Sequence, residues 1–99
     1  MSERTQKDAA KARACYLIRE YIRFCPTVYP GDFEKQCHYK WALNEALIQI
    51  RSSKQTTLDV LYTMLSKYDV WAHLDTPNKY MFAVASAAIE DIIDMLLQE

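Results

Sequence analysis

The chain has 99 residues, of which 51% are hydrophobic and 25% charged, and a formal net charge of −1. That balance excludes an intrinsically disordered chain, which is apolar-poor and highly charged, and the length fits a single helical domain over residues 1–99. One glycine excludes the glycine-rich cradles that hold phosphates and argues against a run of tight β-hairpins, whose turns need positive φ.

The first segment spans about residues 5–25. Apolar residues recur at Ala10, Ala14, Leu17, Ile18, Tyr21, Ile22 and Cys25. This i, i+3, i+4, i+7 spacing predicts a helix with one buried stripe. The opposite face carries Arg13, Tyr16, Arg19, Glu20 and Arg23. Pro26 is the expected stop, because the residue before a proline is pushed out of the α region.

Pro30 and Gly31 suit the central positions of a type II turn. Asp32 behind them suits a helix N-cap. The second segment then runs over about residues 33–52. Its main stripe is Tyr39, Leu43, Ala46, Leu47 and Ile50. A second apolar row, Phe33, Cys37, Trp41 and Ile48, lies well round the cylinder. Glu34, Lys35, His38, Glu45 and Gln49 form the narrow wet strip left over. A helix with apolar character on two sides is either central or shared with a partner.

The third segment starts at a threonine cap, Thr56 or Thr57, and runs to about Tyr68 or on to Ala72. Its expected stripe is Leu58, Leu61, Tyr62, Leu65 and Tyr68, with Val60, Met64 and Trp71 as a weaker row. Asp69 would fall on the stripe of an ideal helix, so an end or bend is expected near it. Thr76-Pro77 reads as the cap and first residue of a fourth helix, since proline loses no needed bond there. Its stripe is Phe82, Ala85, Ile89, Ile92, Ile93 and Leu96, and Glu90, Asp91 and Asp94 are expected in solvent. Four helices with short links predict an all-α, antiparallel bundle of about four helices.

Residues 1–25 carry six Lys/Arg against three acids, a balance of +3, while residues 76–99 carry one Lys against four acids, a balance of −3. The first and fourth helices are thus expected to attract, within one copy or between two. Exposed pairs contribute only about 0–1 kcal/mol each, so the asymmetry orients more than it binds.

The cysteines are Cys15, Cys25 and Cys37. An odd count leaves one thiol unpaired. Cys15 and Cys25 on one helix would sit roughly 15 Å apart, beyond disulfide reach. The opening Met1-Ser2-Glu3-Arg4 has no apolar leader character. A reducing, cytoplasmic setting is therefore expected. No run approaches about 18 consecutive apolar residues, so no membrane partner is expected.

No catalytic, metal or cofactor site is expected. Glu34 and His38 share a helical face as a two-ligand half-site, but carboxylate bundle sites draw Glu-x-x-His from more than one helix. A thiol paired with His38 or His73 would be needed for nucleophilic catalysis, whereas free cysteines usually fill core volume. A protein-interaction or regulatory module fits better, with a protein partner or a second copy docking on Phe33, Cys37, Trp41, Ile48 and Trp71. Trp, Tyr and Met are enriched at interface centres. The alternative is nucleic-acid binding through Arg13, Tyr16, Arg19 and Arg23, where arginines hold phosphates and the tyrosine stacks on a base.

Overall fold

The computed structural model describes residues 3–24 and 28–98. Four helices follow in order: α1, Glu3–Phe24; α2, Phe33–Ser52; α3, Thr57–Ala72; and α4, Lys79–Leu97. Contacts between successive helices show an antiparallel course. The end of α1 meets the first half of α2 through Tyr21 and Tyr39. Trp41 of α2 meets Tyr68 near the end of α3, and Tyr68 meets Phe82 near the start of α4. The chain is thus an antiparallel four-helix bundle. Cys25 and Pro26, expected to close the first stripe and stop its helix, lie outside the described residues.

Local chemistry sets the helix starts. Gly31 has φ +83°, the left-handed value that the third residue of a type II turn requires. The Asp32 N–H closes that turn on the Tyr29 carbonyl at 3.2 Å. Asp32 then caps α2 by accepting from the Lys35 N–H at 3.1 Å, as Thr56 caps α3 by accepting from the Asp59 N–H at 3.3 Å. The fourth helix departs from expectation. It begins at Lys79, after Asn78, with no side-chain cap. The Thr76 carbonyl accepts from the Lys79 N–H at 3.2 Å instead, so Thr76-Pro77 forms a turn ahead of the helix.

The buried side chains of all four helices join in one cluster. α4 is the central element, packed mainly on α2 and α3. Ala85 and Ala88 are fully buried on it, and short side chains let the neighbouring helices approach closely. On α2 the expected stripe of Tyr39, Leu43, Ala46, Leu47 and Ile50 is buried throughout. Among the described side chains of α1 only Ala14, Cys15 and Ile18 are buried, and Ala10 is exposed. The Lys11 ammonium donates to the Ser53 carbonyl at 2.5 Å, beyond the last residue of α2. Earlier turns of α1 therefore pass the end of α2 and have less to pack against.

The buried arc of α3 is turned toward α2 relative to the expected stripe. Val60 and Met64 are buried with Leu61 and Tyr68, while Tyr62 is largely exposed. α3 also continues past Asp69 to Ala72. Asp69 is exposed there, and its carboxylate accepts the hydroxyl hydrogen of the buried Ser86 of α4, which satisfies a polar group at the helix contact.

Candidate interaction surface

α2 is embedded on one side and bare on the other. About 100° per residue separates successive side chains on a helix. Phe33, Cys37, Trp41, Asn44 and Ile48 therefore fall on the side away from Tyr39, Ala42, Leu43, Ala46 and Ile50. Phe33 is 79% exposed and Ile48 56%; Cys37 and Asn44 are exposed as well. α2 touches all three other helices, yet Phe33, Cys37, Asn44 and Ile48 stay exposed and Trp41 is covered along one side only. Centrality explains the buried stripe and leaves the outer row unexplained.

Trp41 and Trp71 are brought together by a residue that the sequence placed only in the core. Tyr68 has its ring 5.9 Å from the Trp41 ring and 6.0 Å from the Trp71 ring. Trp71 also meets Phe82 at 4.9 Å. Such tilted pairs contribute roughly 0.5–1.5 kcal/mol each beyond area burial. The two indoles remain 37% and 38% exposed, so each is anchored along one side and open along another. They line a groove of ≈ 250 Å³ between α2 and α3, with Val60 and Met64 in its wall and Glu45 and Lys67 at its rim. Burial, with the Glu45 carboxylate second, pushes the Tyr68 phenol up to about 12. Of the five predicted surface residues, Phe33, Cys37, Trp41 and Ile48 share one helix side. Trp71 adjoins it through Tyr68.

Behind this surface lies a polar clasp. Tyr39, fully buried, donates to Asp91 Oδ2 at 2.6 Å and stands 2.6 Å from the Tyr21 hydroxyl. Tyr39 spends its one proton on Asp91, so Tyr21 is the donor of the second bond. Asp91 was expected in solvent. It lies three residues after the fully buried Ala88, on the edge of the α4 stripe, and faces α2. The clasp ties α1, α2 and α4, and burial with the Asp91 bond raises the Tyr39 phenol far above its ordinary value.

The described histidines and cysteines are dispersed. His38 Nε2 lies 3.6 Å from Glu34 Oε1. Among the described residues no group of three or more His, Cys, Asp or Glu is placed to hold a metal. The His73 Nδ1–H donates to the Asp69 carbonyl at 2.6 Å. Cys15 is buried and Cys37 exposed, both as free thiols.

The basic set divides. Arg13 lies over the Tyr16 ring at 5.7 Å, and Arg23 pairs with Glu20 of its own helix at 3.3 Å. Arg19 instead shares a groove of ≈ 330 Å³ with Lys11, Cys15 and Arg51 of α2, with Asp8 at one end. Arg51 was not foreseen as a member. Its proximity to Arg19 depends on how α1 crosses α2, and no local sequence pattern carries that.

No helix among the described residues is long and apolar enough to cross a membrane. Comparison with known proteins finds no match to a family model, to a curated protein or to a solved structure.

Proposed function

We propose that this chain is a non-catalytic interaction module that self-associates, with the outer face of α2 as its working surface. The observation that carries the reading is the outer row of exposed Phe33, Cys37 and Ile48 with part-covered Trp41, set opposite the buried row of the same helix. Apolar area of this kind favours association at roughly 25 cal/mol per Å² before association costs. Trp41 is the natural anchor, since it is large, held along one side by Tyr68, and open on the other. Free thiols at Cys15 and Cys37 support a reducing, cytoplasmic setting. The test is the mass in solution by light scattering, for the native chain and for Trp41→Ala. The expected result is a concentration-dependent dimer that the substitution weakens while helical content persists. A monomer at every concentration overturns the reading.

A second reading rests on the convergence of Lys11, Arg19 and Arg51 on one groove beside the Arg13–Tyr16 face of α1. Arginines so placed suit a phosphate backbone. That reading requires nucleic-acid binding that falls steeply with salt and is lost in the Arg13→Glu, Arg19→Glu, Arg23→Glu chain. A flat response in a low-salt gel shift disposes of it.

A further inference from the structure

The outer face of α2 has a sidedness that bears on how an occupant would lie. Trp41 and Ile48 are seven residues apart, as are Cys37 and Asn44, and each of the latter precedes one of the former by four. Positions that alternate by four and three form the seam of a two-stranded coiled coil, with Trp41 and Ile48 at its a positions and Cys37 and Asn44 at d. Lys40 then borders the seam on one edge, at g, and Glu45 borders it on the other, at e.

The charges on these edges select an orientation. When two copies of one helix pair in parallel about a two-fold axis, the g edge of each faces the e edge of the other, five residues further along. Residues 40 and 45 have that separation, so each Lys40 would face Glu45 of the second copy, twice over. In an antiparallel pair like edges meet, which sets lysine against lysine and glutamate against glutamate. Opposite charges across an interface fix register, and like charges reject it. Asn44 supports the same arrangement. Its amide would meet Asn44 of the second copy across the axis, where one amide satisfies the other.

Resting on the self-association proposed above, we infer that the occupant of this face is a second copy lying parallel, α2 against α2, with Lys40 of each copy opposite Glu45 of the other. α2 is 20 residues long, so the seam spans about two heptads. The interface falls toward the small end of specific contacts, near or below about 1,200 Å² in total, and its affinity is correspondingly modest.

The test uses sedimentation equilibrium of the full chain at low ionic strength, with circular dichroism to confirm that each variant is folded. Lys40→Glu and Glu45→Lys are measured separately and as an equimolar mixture, beside Ile48→Ser. Each charge reversal alone is expected to raise Kd about tenfold, because both cross-pairs become repulsive. The mixture is expected to recover native affinity, since both edges again face opposite charges. Native-like affinity of each single variant, with a mixture that binds more tightly than the native chain, would mean antiparallel pairing, which overturns the inference and leaves the interaction face in place. Native-like affinity of both variants and of their mixture, with loss in Ile48→Ser, also overturns it, by placing these edges outside the contact. Insensitivity to Ile48→Ser, or a native chain that stays monomeric, removes the inference and the proposed function together.

Discussion

The Tyr39 hydroxyl reaches Asp91 Oδ2 at 2.6 Å, joining the first half of α2 to the second half of α4. The bond ends on a carboxylate, and bonds to charged groups contribute more than neutral ones. Tyr39→Phe keeps the ring, and with it the edge contact to Tyr29 at 5.6 Å. It removes the one proton that Asp91 receives from α2 and the acceptor that Tyr21 uses. The expected cost is about 1–3 kcal/mol, read as a fall of several degrees in the thermal midpoint of the far-ultraviolet signal. An unchanged midpoint would show that the clasp is energetically idle.

The same buried phenols set an alkaline limit. Tyr68 is pushed up to about 12, and Tyr29 and Tyr39 are also raised, in each case chiefly by burial. In the unfolded chain these groups titrate near 10. A phenol whose folded pKa is raised stabilises the fold while it is neutral. That stability is fully present below about pH 10 and is lost as pH rises through the folded values. The urea midpoint is therefore expected to hold through neutral pH and to fall from about pH 10 upward, and tyrosinate absorbance should rise late in the folded chain. Phenols that all titrate at the ordinary value in native conditions would contradict the burial.

Gly31 tests the turn that launches α2. A Cβ built there meets nothing within 4 Å, so space is no obstacle to a larger residue. The obstacle is φ +83°, which costs an L-residue roughly 1–2 kcal/mol. Gly31→Ala is expected to lose about that much in chemical denaturation with no change in the slope against denaturant. A neutral effect would mean that the turn relaxes without dragging Asp32 from its cap.

Much of this architecture is legible in the residues themselves. The bounds of α2, its Asp32 cap, the Pro30-Gly31 turn and the buried row from Tyr39 to Ile50 all follow from period and turn chemistry, which act over a few residues. The bare row from Phe33 to Ile48 follows from the same period. What escapes is whatever depends on another helix. Asp69 looks like a break and Asp91 like a solvent-facing acid until the hydroxyls of Ser86 and Tyr39 are found bonded to them. Val60 and Met64 look peripheral until α2 turns out to lie beside them. Trp41 and Trp71 look unrelated until Tyr68 stands between them. Polar residues on an apolar stripe carry no local sign of their partner, so such a stripe marks a contact without naming what satisfies it.

The sharpest separation of surface from core comes from the two most exposed large hydrophobic residues of the outer row. Trp41 touches Tyr68, so Trp41→Ala removes packing as well as surface and is expected to lower both stability and association. Phe33 and Ile48 stand 79% and 56% exposed, and truncating such residues usually changes stability by no more than about 0.5 kcal/mol. The Phe33→Ser, Ile48→Ser chain is therefore expected to unfold within about 0.5–1 kcal/mol of the native chain while its self-association is lost. Loss of fold in this variant would mean that the two side chains are sheltered by the chain itself, and retention of the native association would place the contact on another face. Only the combination of kept stability and lost mass assigns the row to an interface, because a core residue fails the first condition and an idle surface residue fails the second.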